Sequence, residues 1–283
     1  MLKGCPIDWL DLLLIPLGFV VGAYGTIVGA GGGFVLVPVL LILYPDEDPA
    51  TITSISLLVV LFNAISGSWA YARIGRIDFR SGFIFAVAAL PSAIAGAFLV
   101  DAVPRQLFDI IFGVALLSVA GYTIWSVGRP IRMRAPLQGR WIVRREMPGK
   151  EEGTTFRYSY NVLQGAAISC GIGLLSSLLG IGGGVFQVPA MINILRFPVH
   201  VATATSQFVL MFMAGEASVV HLAKGAYGGE NGGIALLLAL GAVPGAQIGA
   251  RLAQRFQGPL IARLLAAALI IVGARLLYAG LRG

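Results

Sequence analysis

Apolar residues fill this chain in long blocks, and no block alternates apolar and polar positions as a membrane-barrel strand must. Leu57–Trp69, Phe83–Val100 and Ile110–Trp125 each sit inside runs near the roughly 20 residues that a spanning helix needs. The pattern predicts spanning helices over 51–71, 80–100 and 106–126, and again over 200–222, 231–250 and 259–281. Ahead of each trio lies an apolar pair broken by glycine, 9–28 with 33–44 and 161–179 with 185–196. The second member of each pair is short, since about 12 residues of helix reach only about 18 Å. Each pair is therefore a re-entrant hairpin or two short spans, and both choices return the chain to the side it came from.

The blocks repeat. Gly29-Ala30-Gly31-Gly32-Gly33-Phe34-Val35-Leu36-Val37-Pro38 returns as Gly180-Ile181-Gly182-Gly183-Gly184-Val185-Phe186-Gln187-Val188-Pro189. Ala50-Thr51-Ile52-Thr53-Ser54 then matches Ala202-Thr203-Ala204-Thr205-Ser206. Tyr71 to Gly75 matches His221 to Gly225, and Pro91 with Gly96 matches Pro244 with Gly249. A duplicated unit explains landmarks that keep their order and nearly their spacing. The expected organisation is repeat one over 1–126, a polar segment over 127–160 and repeat two over 161–283.

Charge fixes the expected orientation. The segment 128–160 carries Arg129, Arg132, Arg134, Arg140, Arg144, Arg145, Lys150 and Arg157 against Glu146, Glu151 and Glu152, and belongs on the cytoplasmic side. Counting back places Arg73, Arg76 and Arg80 inside and Asp46-Glu47-Asp48 outside. With a returning pair, Arg196, Arg251 and Arg255 fall inside, and Lys224 and Glu230 outside; a single crossing would put Arg251 and Arg255 outside. The halves are thus expected to be oppositely oriented, with both termini outside. Within the basic loop, Trp141-Ile142-Val143 and Phe156-Arg157-Tyr158-Ser159-Tyr160 flank Pro148-Gly149, which allows a small β-hairpin. The loop's charge reads as a face marker that touches anionic lipid, and nothing else supports a nucleic-acid role.

Composition agrees: 57% of residues are hydrophobic, 12% are charged and the mean hydropathy is +0.86. A soluble domain carries about twice that charged fraction. The fold class is an all-α, polytopic integral membrane protein of two inverted repeats, each a glycine-broken hairpin plus three spanning helices. Lys3 and the apolar run from Leu10 resemble a signal peptide, but Asp8 and Asp11 flank that run and no small-residue cleavage pattern follows, so a retained helix is expected. Cys5 and Cys170 read as unpaired thiols.

Glycine runs inside apolar helices cost stability and free backbone groups that lipid cannot satisfy. Two such breaks at matching positions of inverted halves point to a transporter's binding site. The helices restarting at Phe34 and Val185 would present N–H groups and a positive dipole end, both suited to an anion. The competing reading is close helix packing, which suits Gly18-x-x-x-Gly22 and Gly241-x-x-x-Gly245 well. A nucleotide-type phosphate loop is excluded, because no Lys-Ser/Thr follows either run.

These paired motifs, the Ala-Thr-x-Thr-Ser segments and Gly245-Ala246-Gln247-Ile248-Gly249-Ala250-Arg251-Leu252 resemble the TauE/SafE family of membrane permeases. The resemblance covers both halves and leaves out the central loop. The family is associated with export of sulfite and small organosulfonates. The resemblance implies a multi-pass anion transporter of the cytoplasmic membrane, working as a secondary carrier by alternating access.

The candidate substrate-binding residues are Gly29, Gly31, Gly32, Gly33, Thr51, Thr53, Ser54 and Asn63 in the first half. In the second they are Gly180, Gly182, Gly183, Gly184, Gln187, Thr203, Thr205, Ser206 and Gln207. Their hydroxyl and amide groups can donate to sulfonate oxygens without a full charge, although Ser and Thr here also suit helix caps. Asn193 on the second restarted helix is either site lining or interhelical glue. Glu216 is the one carboxylate deep in a predicted span, and with His221 it is the candidate coupling pair; a carboxylate paired with Lys224 or Arg251 is the plainer alternative. No metal site and no cofactor are expected, since neither His200 nor His221 has partner ligands at metal spacing. The expected partners are a small anion, the bilayer and potentially a second copy of the chain.

The rivals are a carrier of another solute, a carboxylate or a metal cation, and a membrane assembly factor or intramembrane enzyme using Glu216 and His221. Absence of a G-x-S-x-G or H-E-x-x-H motif speaks against an enzyme, and a single intramembrane carboxylate speaks against a cation carrier.

Overall fold

A computed structural model describes residues 11–127, 140–148, 155–256 and 258–282. The expectations for Cys5 and the leading segment, for Arg129, Arg132, Arg134, Lys150, Glu151 and Glu152, and for the Pro148-Gly149 turn reach outside these residues. The first half contains α1 (Leu14–Val28), α2 (Gly33–Leu43), α3 (Pro49–Arg73), α4 (Phe79–Leu99) and α5 (Arg105–Val127). A hairpin of β1 (Ile142–Pro148) and β2 (Thr155–Asn161) follows. The second half contains α6 (Val162–Leu179), α7 (Gly184–Asn193), α8 (Val199–Ala223), α9 (Glu230–Ala253) and α10 (Gly258–Arg282).

Seven of these helices, α3 to α6 and α8 to α10, are long and apolar enough to cross a membrane. Large apolar side chains such as Val20, Trp69, Phe98, Ile124, Leu240 and Ile271 lie exposed, as lipid-facing residues do. The chain is a multi-pass α-helical membrane protein.

Both glycine-broken pairs fold back on themselves. Gly29 and Gly180 end α1 and α6 in the left-handed conformation that glycine adopts without Cβ strain, and their N–H groups return to Gly25 O with Thr26 O, and to Ser176 O. Two residues on, the chain has reversed. A Cβ placed on Gly32 would lie 2.7 Å from Val21 O, and one on Gly183 3.0 Å from Ser176 Cβ.

The two halves repeat their packing. α1 lies on α9 as α6 lies on α4, α2 meets α10 as α7 meets α5, and α3 meets α8 and α5 meets α10 directly. Glycine contacts give the directions. Gly18 meets Leu238, Gly22 meets Ala242 and Gly249 meets Ala23, so α1 and α9 run parallel. Gly67 meets Gln207 while Gly215 meets Leu61, so α3 and α8 run antiparallel; Gly113 with Leu277 and Gly280 with Gln106 make α5 and α10 antiparallel too.

The α1–α9 contact is the tightest expression of the small-residue packing expected from the two Gly-x-x-x-Gly runs, because lipid offers these helices no hydrophobic reward for associating. A Cβ at Gly245 would sit 2.3 Å from Phe19 O, whereas one at Gly171 on α6 would meet nothing within 4 Å. Gly245→Ala should therefore force the helices apart, at a cost of about 1–3 kcal/mol. Gly171→Ala should be neutral or gain up to about 1 kcal/mol of helix propensity. Thermal unfolding of the two variants in one detergent compares them, and equal midpoints would contradict this close contact.

Candidate functional site at the paired glycine turns

The two glycine turns meet each other inside the protein. Residues 29–34 and 180–185 are buried throughout. A Cβ on Gly33 would lie 2.8 Å from Ile181 Cα, and one on Gly184 2.6 Å from Ala30 Cα. The antiparallel pair α3 and α8 supplies the walls. Gly29 abuts Thr203, Gly180 abuts Thr53, and Gly31 and Gly182 both rest on Val60 and Leu210. Matching positions of the two motifs thus face matching positions of the opposite half.

Hydroxyl and amide groups tie the turns down. Ser206 Oγ donates to Gly29 O at 2.9 Å, and Ser56 Oγ to Gly180 O at 2.7 Å. Asn63 Nδ2 donates to Gly31 O at 3.2 Å, and its Oδ1 accepts from Thr26 Oγ1. Gln207 Nε2 reaches the same Thr26 Oγ1 at 3.1 Å, and Tyr71 donates its hydroxyl proton to Thr26 O. These bonds satisfy carbonyls that the broken helices leave open, as a lipid-embedded backbone requires. The restarted helices α2 and α7 have Gly32 and Gly183 as their N-cap residues, both with positive φ and neither offering a side-chain cap.

Four buried atoms around the turns have no hydrogen-bond partner among the described residues: Thr53 Oγ1, Gln207 Oε1, Ser176 Oγ and Ser177 Oγ. Buried polar groups are seldom left so. Beside Gln207, a groove of ≈ 440 Å³ opens between α3, α8 and α9, lined by Phe62, Ser66, Ser68, Trp69, Phe208 and Gln247 among others. Gly67, between the two lining serines, is the residue that abuts Gln207.

Of the residues expected from sequence, the glycines, Thr53, Asn63, Thr203, Ser206 and Gln207 converge. In this conformation the glycines' close approaches are to protein, so they serve packing, and the binding reading rests on the polar groups around them. Thr51 and Ser54 stand slightly apart, with Ser54 Oγ donating to Thr51 O. Thr203 Oγ1 bonds locally to His200 O, and Thr205 Oγ1 accepts from the Asp78 N–H at 3.0 Å. Gln187 stays inside its own hairpin, donating to Ser169 Oγ at 3.1 Å.

Glu216 lies outside the convergence, six residues along α8 from Leu210, or about 9 Å at 1.5 Å per residue. Both its carboxylate oxygens, and Nε2 of His221, are buried without a hydrogen-bond partner. The plainer pairing of Glu216 with Lys224 is not formed, since Lys224 Nζ bonds to Asp101 Oδ2 and Ala97 O, each at 2.6 Å.

Sequence reasoning missed Thr26, Ser56 and Tyr71. Thr26 had a signal: it stands three residues before Gly29 as Ser177 stands before Gly180, so the repeat extends one turn further back than its glycines. Ser56 has no counterpart hydroxyl in the other half, where Phe208 holds its place. Among the described residues, no group of three or more His, Cys, Asp or Glu side chains is placed to hold a metal.

The chain is 32% identical over 277 residues to the probable membrane transporter protein YunE of Bacillus subtilis, covering 95% of this chain and 98% of that one. It is 28% identical over 211 residues to the probable membrane transporter protein MJ0441 of Methanocaldococcus jannaschii, at 70% and 69% coverage. A probable membrane transporter protein of Sinorhizobium, ORF9, is 26% identical over 264 residues, at 93% and 91% coverage. No solved structure matches the chain. The model of the sulfite exporter TauE/SafE family matches residues 14–276, from the first turn of α1 to the last turns of α10, and the chain belongs to that family of membrane transporters.

Proposed function

We propose that the chain is a secondary transporter that moves a small oxoanion, such as sulfite or an organosulfonate, across the cytoplasmic membrane by alternating access. The observation that carries this reading is the meeting of two uncapped helix starts, at Gly32 and Gly183, among neutral hydroxyl and amide groups. Each helix start carries roughly half a positive charge, and no formal charge is placed against the turns by any contact described above. Such a site favours an anion while releasing it readily. The proposed ligand groups are Thr53, Asn63, Thr203, Ser206, Gln207 and the restarted-helix N–H groups, with Thr51, Ser54, Gln187 and Thr205 in support.

The proposed mechanism uses residues 1–126 and 161–283 as oppositely oriented halves joined by the cytoplasmic segment 127–160. The antiparallel contacts of α3 with α8 and of α5 with α10 support that inversion. Cysteine substitution at Pro49 and at Arg255 should report opposite faces, Pro49 outside and Arg255 inside, when labelled with an impermeant reagent in intact cells. Labelling of both from one side would contradict it.

The test of function is flux into proteoliposomes with a panel of sulfite, sulfoacetate, sulfate and lactate, beside thermal shift with the same anions and with divalent cations. Stabilisation and flux with anions are expected. Gln207→Ala and Asn63→Ala should each weaken apparent affinity about tenfold, the scale of a lost hydrogen bond to a charged group. Stabilisation by cations alone would overturn the reading.

Glu216 and His221 are the proposed coupling groups, because an intramembrane carboxylate with neither oxygen hydrogen-bonded is poised to exchange a proton. Glu216→Gln should keep the anion-induced thermal shift and lose the response of flux to an imposed pH gradient. Unchanged gradient dependence would make Glu216 structural and leave the anion site standing.

A further inference from the structure

The β1–β2 hairpin is amphipathic. Val143 and Arg145 share one face with their partners Tyr160 and Tyr158, and Met147 follows on that face, while Arg144, Glu146, Arg157 and Ser159 share the other. The first face is docked on the helices. Tyr158 and Tyr160 pack on Phe197 with ring centroids 4.5 and 5.0 Å away, and Phe85 of α4 closes the cluster at 6.2 Å from Phe197. Phe197 belongs to the return of the second glycine pair: its N–H donates to Met191 O at 2.9 Å, at the end of α7.

At the centre of the docked face sits Asp78, only 4% exposed. Its carboxylate caps α4 by accepting from Ser81 N and Ser81 Oγ, accepts from Tyr158 OH at 2.8 Å, and pairs with Arg145 at 3.3 Å. Burial and the neighbouring Asp78 carboxylate push the Tyr158 phenol far up, so it remains a neutral donor at every working pH. The Asp78 N–H in turn donates to Thr205 Oγ1, one residue before Ser206 and its bond to the first glycine turn. One buried aspartate therefore joins the hairpin and the start of α4 through its carboxylate, and the site-bearing turn of α8 through its backbone N–H.

Among the described residues, the other half holds the equivalent junction without a buried carboxylate. There the α8–α9 turn reaches α3 through Tyr227 OH and Ser54 O at 3.1 Å, a neutral bond from a phenol that burial raises to about 12, while Lys224 ties the turn to the far end of α4 and not to the site-bearing turns. The N-cap of α9 is Gly229, which offers no side chain.

We infer that the hairpin is a one-sided latch on the glycine-turn site, with Asp78 as its positioning residue. While it is docked, α4, the end of α7 and the start of α8 are held together, and the turns stay closed toward the hairpin's face. Undocking frees that face and leaves the Tyr227 side as it was. The latch stands on these contacts; only its consequence for flux rests on the transporter reading.

The test uses the full chain in lipid nanodiscs with Cys5→Ser and Cys170→Ser, and Ser206→Cys as a buried probe. Tyr158→Phe and Arg145→Met should each raise the rate of thiol labelling at Ser206→Cys about tenfold, the factor given by loss of one charge-assisted hydrogen bond. The rate at a second buried probe, Ala120→Cys on α5, should not change. Unchanged labelling at Ser206→Cys in both variants, or an equal rise at both probes, overturns the latch.

A disulfide between Tyr158→Cys and Phe197→Cys supplies the converse. It should lower Ser206→Cys labelling below that of the uncrosslinked protein and, in the chain that keeps Ser206, stop flux, and reduction should restore both. Labelling that ignores the cross-link overturns the latch. Labelling that responds to it, in protein that carries no tested anion in any form, supports the latch and counts against the transporter reading alone.

Discussion

Everything in this fold is arranged around two helix breaks that lipid alone could not tolerate. A helix that stops inside a bilayer exposes carbonyls at its end and N–H groups where it restarts, and hydrocarbon offers no partners for either. The chain answers by bringing both breaks to one place and walling them with α3 and α8. Ser206 on α8 serves the turn of the first half, Ser56 on α3 serves the turn of the second, and each turn's glycines leave room for the other's backbone. Asn63 and Tyr71 add bonds to the first break from its own half, so that turn is tied from both sides.

That constraint propagates outward through side-chain size. Holding the turns in register needs α1 and α6 seated deeply against α9 and α4, and the seats are cut from glycine. Gly18, Gly22, Gly241, Gly245 and Gly249 let the α1 and α9 backbones touch, and Gly96 with Gly173 does the same for α4 and α6. The long helices can then keep bulky apolar residues on their outer faces, where lipid replaces a core.

Much of this was legible in the residues, because lipid converts physical need into simple patterns. Helix ends fell within three residues of the apolar blocks for the spanning helices, since leaving hydrocarbon is what ends them. The fold-back of each pair was foreshadowed by its short second member, 33–44 and 185–196, which is too short for a comfortable crossing. The small hairpin was legible from Trp141 to Val143 and Phe156 to Tyr160, and its strands run several residues longer. What could not be read was pairing across distance. Asp78 carries no pattern that sets it apart in the sequence, and only the fold sets it beside Arg145, Tyr158 and Thr205. Thr205 likewise carried the motif's promise of a ligand group, yet its hydroxyl is engaged by the Asp78 backbone. The glycines misled in degree: their spacing announced a special place, while the space they create is filled by the opposite turn.

The closed turns bear on how such a site would work. Ser206, Ser56 and Asn63 spend their donors on the turn carbonyls of Gly29, Gly180 and Gly31, so an arriving anion competes with the protein's own oxygens for the same hydrogens. On the transporter reading, that competition couples binding to movement. A ligand that takes these donors loosens the bonds that keep the turns shut, and its departure restores them. Fixed cations at the turns would remove the coupling, since they could hold an anion without releasing anything. On the same reading, neutral donors borrowed from the backbone would bring the empty closed form and the loaded form closer in free energy than fixed cations would, which is the condition under which a modest ligand can shift a conformational population.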